Sequence, residues 1–113
     1  MTIFSTGDDH PGRWHQPVSV PVNKTDAFSA ACEMVDDLEG WSDVVVDKDK
    51  LTLTCVCKGG LLSKDSNIRI WVEGPDGVPN SQTHCSSESS GGIFSKDKAN
   101  VAEFVRKLYM RIT

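Results

Sequence analysis

The sequence predicts an α+β domain with element order β-α-β-β-β-β-α, in which a twisted antiparallel sheet carries both helices on one face. Three observations lead there. Two segments repeat apolar residues at helical spacing, at least two others alternate apolar and polar residues strictly, and no βαβ unit repeats. At 113 residues the chain fits one domain. Residues 1–13 read as a flexible N-terminal tail and 14–113 as the folded unit.

The tail reading rests on Gly7, Asp8, Asp9, Pro11 and Gly12, which carry no apolar period, and Trp14 marks where the tail meets the fold. Val18, Val20 and Val22 share one face of a short strand. Pro17 and Pro21 flank or interrupt it, which confines it to a sheet edge. The first helix opens near Asn23 to Asp26, with Thr25 as the preferred N-cap. Its apolar stripe is Ala27, Phe28, Ala31, Met34, Val35 and Leu38, and Gly40 ends it in the left-handed region.

Val44-Val45-Val46 begins the next strand, and Asp47 to Lys50 is a polar turn. In Leu51 to Cys57, Leu51, Leu53, Cys55 and Cys57 lie on one face, with Thr52, Thr54 and Val56 on the other. The run from Asn67 to Glu73 points Ile68, Ile70 and Val72 inward, and Gly74-Pro75-Asp76-Gly77 turns the chain. Ser81 to Ser89 reads as a strand from its neighbours more than from its own polar residues. The last helix shows Val101, Phe104, Val105, Leu108 and Ile112 on one face, with Ser95 or Asp97 at its start and Arg106, Lys107 and Arg111 near its end.

A hydrophobic fraction of 38% with 25% charged residues is that of a globular protein and excludes disorder of the whole chain. The net charge of -4, with Lys and Arg scattered among carboxylates, argues against a nucleic-acid partner. No apolar run approaches the roughly 20 residues that span a bilayer, so no membrane partner is expected. The first residues lack a basic and an apolar region of export type, and cytoplasmic location is the default expectation.

Several short motifs stand out: Gly40-Trp41 after the first helix, Lys64-Asp65-Ser66-Asn67-Ile68-Arg69-Ile70, Ser87-Glu88-Ser89-Ser90-Gly91, and Asp97 with Asn100 opening the last helix. Together, over residues 26–112, they resemble the bacterial family of uncharacterised proteins labelled DUF1499. Ser90 stands where that family's pattern has an Arg, a single Asp65 takes the place of two acids, and the interval from Gly92 to Asn100 is longer than in the pattern. The resemblance implies the fold and brings no known chemistry.

Cys55 and Cys57, with Cys85, Cys32, His84 or His10, could be arranged as a zinc site. They read better as small hydrophobes continuing the Leu51/Leu53 row, and no metal, cofactor or catalytic residue is expected. His84 and Cys85 are adjacent on a strand, point to opposite faces and cannot form a Cys–His pair. The serines from Ser86 to Ser90 lack a phosphate-loop pattern, and Asp36, Asp37, Glu39 and Asp43 read as a solvated face. Trp71 is the oddity. It falls on the face away from the helices with Arg69, Thr52 and Thr54, where a tryptophan is as consistent with a contact surface as with cross-strand packing. Leu61 and Leu62, after Gly59-Gly60, could form a lid. Three function classes stay open: an interaction domain using the open sheet face to meet a protein partner or a second copy, a small-ligand carrier with a pocket between sheet and helices, and an enzyme of unrecognised type.

Overall fold

Asn23 starts the first helix by accepting a hydrogen bond from the Asp26 amide at 2.8 Å, which makes Asn23 the cap in place of Thr25. In the computed structural model, which describes residues 2–59, 65–90 and 96–112, this helix, α1, runs over Lys24–Asp36. Ala27, Phe28, Ala31, Met34 and Val35 are buried as the periodicity requires, with Leu38 just beyond. The left-handed Gly40, at φ 84°, reverses the chain into the sheet.

The strands are β1 (Thr2–Ser5), β2 (Val18–Val20), β3 (Trp41–Asp47), β4 (Thr52–Cys57), β5 (Ser66–Glu73) and β6 (Ser81–Ser89). They form one antiparallel sheet in the order β1-β6-β5-β4-β3, with β2 pairing β6 on the same edge as β1. The second helix, α2 (Asp97–Ile112), buries Val101, Phe104, Val105 and Leu108 beside α1. Both helices share one core with Leu53, Cys55, Ile68, Ile70, Val72 and Cys85, so both cover the same sheet face. The other face carries Thr54, Arg69, Trp71 and His84.

Two segments depart from expectation. Thr2–Ser5, read as part of a tail, pairs residue by residue with Ser86–Ser89. Thr6 then donates its amide to the Cys85 carbonyl at 2.9 Å. The chain leaves the edge, makes a turn of 3-10 helix at Arg13–His15, and returns as β2 opposite Ser81–Thr83. Aromatic contacts hold this excursion down: Phe4 stacks on His10 at 4.7 Å, and the Arg13 guanidinium lies 4.9 Å from the Trp14 ring and 4.8 Å from that of Tyr109. Such side-chain contacts leave no periodic trace in a sequence.

The second is β6, the strand with the weakest sequence signal, which among the described residues pairs with three strands, β5 along one edge and β1 and β2 along the other. Its helix-facing row is Ser81, Thr83, Cys85, Ser87 and Ser89, all buried. The hydroxyls of Ser81 and Thr83 are buried with no hydrogen-bond partner. Since a buried orphan hydroxyl costs about 1–3 kcal/mol, Thr83→Val is expected to raise stability by about 1 kcal/mol. Urea unfolding checks this, and a lower midpoint would show that the hydroxyl has a partner in solution.

Candidate functional site

Alternation on β5 turns Trp71 and Arg69 away from the helices, and the register brings Thr52 and His84 beside Trp71, and Thr54 and Ser86 beside Arg69. The four residues singled out in the sequence are therefore neighbours on the open face. Trp71 is half-buried, because its neighbours close around it. The His84 ring stacks on it at 5.2 Å with 7° between planes, and the Arg69 guanidinium sits 5.0 Å from its ring centre.

His84, not singled out for this surface in the sequence, completes the stack. Its Nδ1 lies 3.3 Å from the Thr6 hydroxyl, and its Nε2 lies 3.5 Å from a Glu73 carboxylate oxygen without hydrogen-bond alignment. The signal that could have found it is register, since Trp71 and His84 become opposite partners once the Gly74–Asn80 connection is fixed. Beside the stack, Thr54, Val56, Asn67, Arg69, Ser86 and Glu88 line a shallow concavity of about 350 Å³, with Ile3 and Asp43 at its rim.

A second polar group lies on the helix side. Asp97, in the first turn of α2, accepts hydrogen bonds from Ser87 Oγ at 2.7 Å and Ser89 Oγ at 2.9 Å. Asn100 Nδ2 donates to Ser87 Oγ at 3.2 Å, and the Cys57 thiol donates to Asn100 Oδ1 at 3.5 Å. All four Ser, Asp and Asn side chains belong to buried residues. A carboxylate in the first turn of a helix is also favoured by the macrodipole. This arrangement fastens α2 to β6. Both serine hydroxyls donate to Asp97, and Ser87, Ser89 and Asp97 are all buried beneath α2, away from the surface a substrate would reach.

The thiols are similarly quiet. Burial pushes the Cys55 thiol up to about 12, with Cys57 adding to the effect. Burial also holds Cys85 well above the usual thiol range, aided by Cys55, and it is the leading cause of the upward shifts at Cys57 and Cys32. Cys57 packs against the core at the half-buried end of the Leu51/Leu53/Cys55 row and bonds Asn100. Cys55 and Cys85 lie on the core face, His84 on the open face, and His10 on Phe4. The structure does not bring these together, and among the described residues no group of three or more His, Cys, Asp or Glu is placed to hold a metal ion.

Asp36, Asp37, Glu39 and Asp43 are all exposed, and Asp37 joins Glu33 in pairing with Arg111. Leu61 and Leu62, the expected lid, and Ser95, a suggested cap, lie outside the described residues. Among the described residues no helix is long and apolar enough to cross a membrane.

With all four thiols free, a thiol reagent should count four only after unfolding, with Cys55 and Cys85 silent in the native protein. Their raised folded-state values also set a sign. The stabilisation is fully present below the ordinary thiol value near 9.0 and is lost as pH rises through about 12. Urea midpoints between pH 8 and 11 should fall more steeply for the wild type than for Cys55→Ala. Parallel profiles would refute the assignment.

No family model, curated protein or solved structure matches the chain.

Proposed function

We propose that the protein is a non-enzymatic interaction domain whose open sheet face, centred on Trp71, meets a protein partner or a second copy of the chain. The observation that carries this reading is the stack of Arg69, Trp71 and His84 on the face that neither helix covers. Flat side chains held by one another lose little freedom on contact, and tryptophan and arginine are the residues most enriched where binding energy concentrates. Ile3, 64% exposed on the same face, and the adjoining concavity extend the surface.

The carrier reading has less support. An enclosed pocket at the centre of the core would need the space that Leu53, Ile70, Phe104 and Leu108 fill as fully buried side chains, and the groove between α1 and β3 is open to solvent. For an enzyme, burial keeps the Cys55 thiol protonated and places the Asp97-bound serines out of a substrate's reach. The DUF1499 likeness adds no chemistry to either, and we carry it, with a bacterial origin and a cytoplasmic setting, as part of the proposal.

Trp71→Ala separates contact from folding. It should abolish self-association, or capture of a partner by the wild type, at a cost of about 2–4 kcal/mol of binding. Its melting temperature should drop less than that of Ile70→Ala, which opens a core cavity on the same strand. Melting temperature read beside sedimentation mass checks both. A wild-type monomer, with Trp71→Ala melting as low as Ile70→Ala, would leave this reading without residue-level support.

A further inference from the structure

The open sheet face carries more negative than positive charge. Asp47, Glu73 and Glu88 sit on it by alternation, opposite Thr52, Gln82 and Asn67, while Arg69 is the one Lys or Arg that the described strands place there. The bulge between Ser42 and Val45 adds a fourth carboxylate. It sets Asp43 at a left-handed φ of 56°, out of the ladder, and the residue lines the concavity on this face. Glu73 has His84 beside it, but among the described residues Asp43, Asp47 and Glu88 pair with no cation. Between Asp43 on β3 and Glu88 on β6 lie three strand spacings, about 14 Å, floored by the short side chains of Thr54, Val56, Asn67 and Ser86. An exposed apolar side chain stands by each end. Ile3, 64% exposed, is the direct cross-strand partner of Glu88, and Val45, 65% exposed, follows the Asp43 bulge on the same face as Thr54. Such a pairing suits a lysine or arginine, whose hydrocarbon stem packs on the apolar group while its charged head meets the carboxylate.

We propose that the occupant of this face is a partner protein presenting an extended segment with a Lys or Arg at positions i and i+4, and that it is not a second copy of the chain. The inference rests on the reading of the Trp71 face as a contact surface and supplies the partner's chemistry. Residues i and i+4 of an extended segment point the same way about 13 Å apart. That matches the span between the Asp43 and Glu88 strands and leaves residue i+2 over the floor of short side chains. Arg69 does not oppose these cations directly, because its guanidinium is drawn onto the Trp71 ring at 5.0 Å. A second copy fails the same comparison. Two such faces brought together set four carboxylates against four with only Arg69 of each to offset them, and like charge across an interface suppresses that partner.

The test titrates the intact, isotope-labelled protein with acetyl-Lys-Thr-Ser-Thr-Lys-amide and, separately, with acetyl-Glu-Thr-Ser-Thr-Glu-amide. The lysine peptide should give saturable shifts at the Thr54, Asn67 and Glu88 amides, and the glutamate peptide should bind about tenfold more weakly, as expected from two exposed charge pairs. Asp43→Asn with Glu88→Gln should bring the two peptides to within about twofold. Asparagine tolerates the left-handed conformation at 43 and glutamine keeps the shape at 88, so the variant tests charge and not folding. Saturable shifts at these amides that are equal for both peptides would overturn the cationic assignment and leave the Trp71 contact reading standing. A wild-type dimer that Trp71→Ala renders monomeric would do the same, by assigning the face to a second copy. No saturable shift with the lysine peptide, or shifts confined to Asp36, Asp37 and Glu39, would overturn this inference alone. The contact reading falls on its own test, a monomeric wild type with Trp71→Ala melting as low as Ile70→Ala.

Discussion

Phe104→Ala is expected to cost about 3–5 kcal/mol of stability, a large share of the roughly 5–15 kcal/mol that holds a domain of this size together. Phe104 has no exposed surface, sits in the middle of the α2 stripe, and stacks on the buried Trp41 at 6.4 Å with 15° between planes. Its loss removes the transfer energy of a ring and leaves a cavity that α1, α2 and the Gly40–Trp41 corner would all have to collapse into. Leu108→Ala, one turn further on, should cost about 2–5 kcal/mol for the same reason. Met110 provides the control, since it is 71% exposed on the same helix and its alanine variant should stay within about 0.5 kcal/mol of the wild type. Chemical unfolding of the three variants measures this directly. If Phe104→Ala resembled Met110→Ala, the packing of α2 on the sheet would be wrong.

Asp97→Ala is the second large loss, and it comes from polar groups. Two serine hydroxyls bond this carboxylate, and each hydrogen bond to a charged group contributes about 1.5–3 kcal/mol, so removal should cost about 3–5 kcal/mol. Ser87 and Ser89 would then be left buried without their acceptor, which is worse than never having the network. Asp97→Asn keeps the shape and one acceptor oxygen and should lose about half as much. Equal losses in the two variants would mean that the charge of the carboxylate matters and its shape does not.

The apolar periodicity made both helices, β4 and β5 legible, because burial on one face imposes a regular spacing. The facing of Trp71 followed from the same alternation. What the residues concealed was contributed by partners distant in the chain. β6 has a polar sequence, and only its neighbours on both sides and the small side chains beneath α2 explain why it is central. Residues 1–13 looked structureless because β1 is four residues long and is held by register to β6 and by ring contacts such as Phe4 with His10. Asp97 and Asn100 were visible as motif residues. That they form a buried clasp with Ser87 depends on α2 lying over β6, which no local pattern encodes.

The return of the chain to β6 has a kinetic consequence. Thr6 bonds the backbone of Cys85, a separation of 79 residues, and both β1 and β2 wait for a strand that lies near the other end of the sequence. Pairings of such span pay the entropy of closing a long loop before any contact repays it, and they slow folding. The β3–β4–β5 meander, by contrast, pairs strands that are neighbours in the sequence. Until residues 2–20 dock, β6 offers a bare edge with a full row of unpaired amides and carbonyls. Folding should therefore pass its point of greatest exposure late, and concentration-dependent losses during refolding should be suppressed by whatever speeds the docking of β1 and β2.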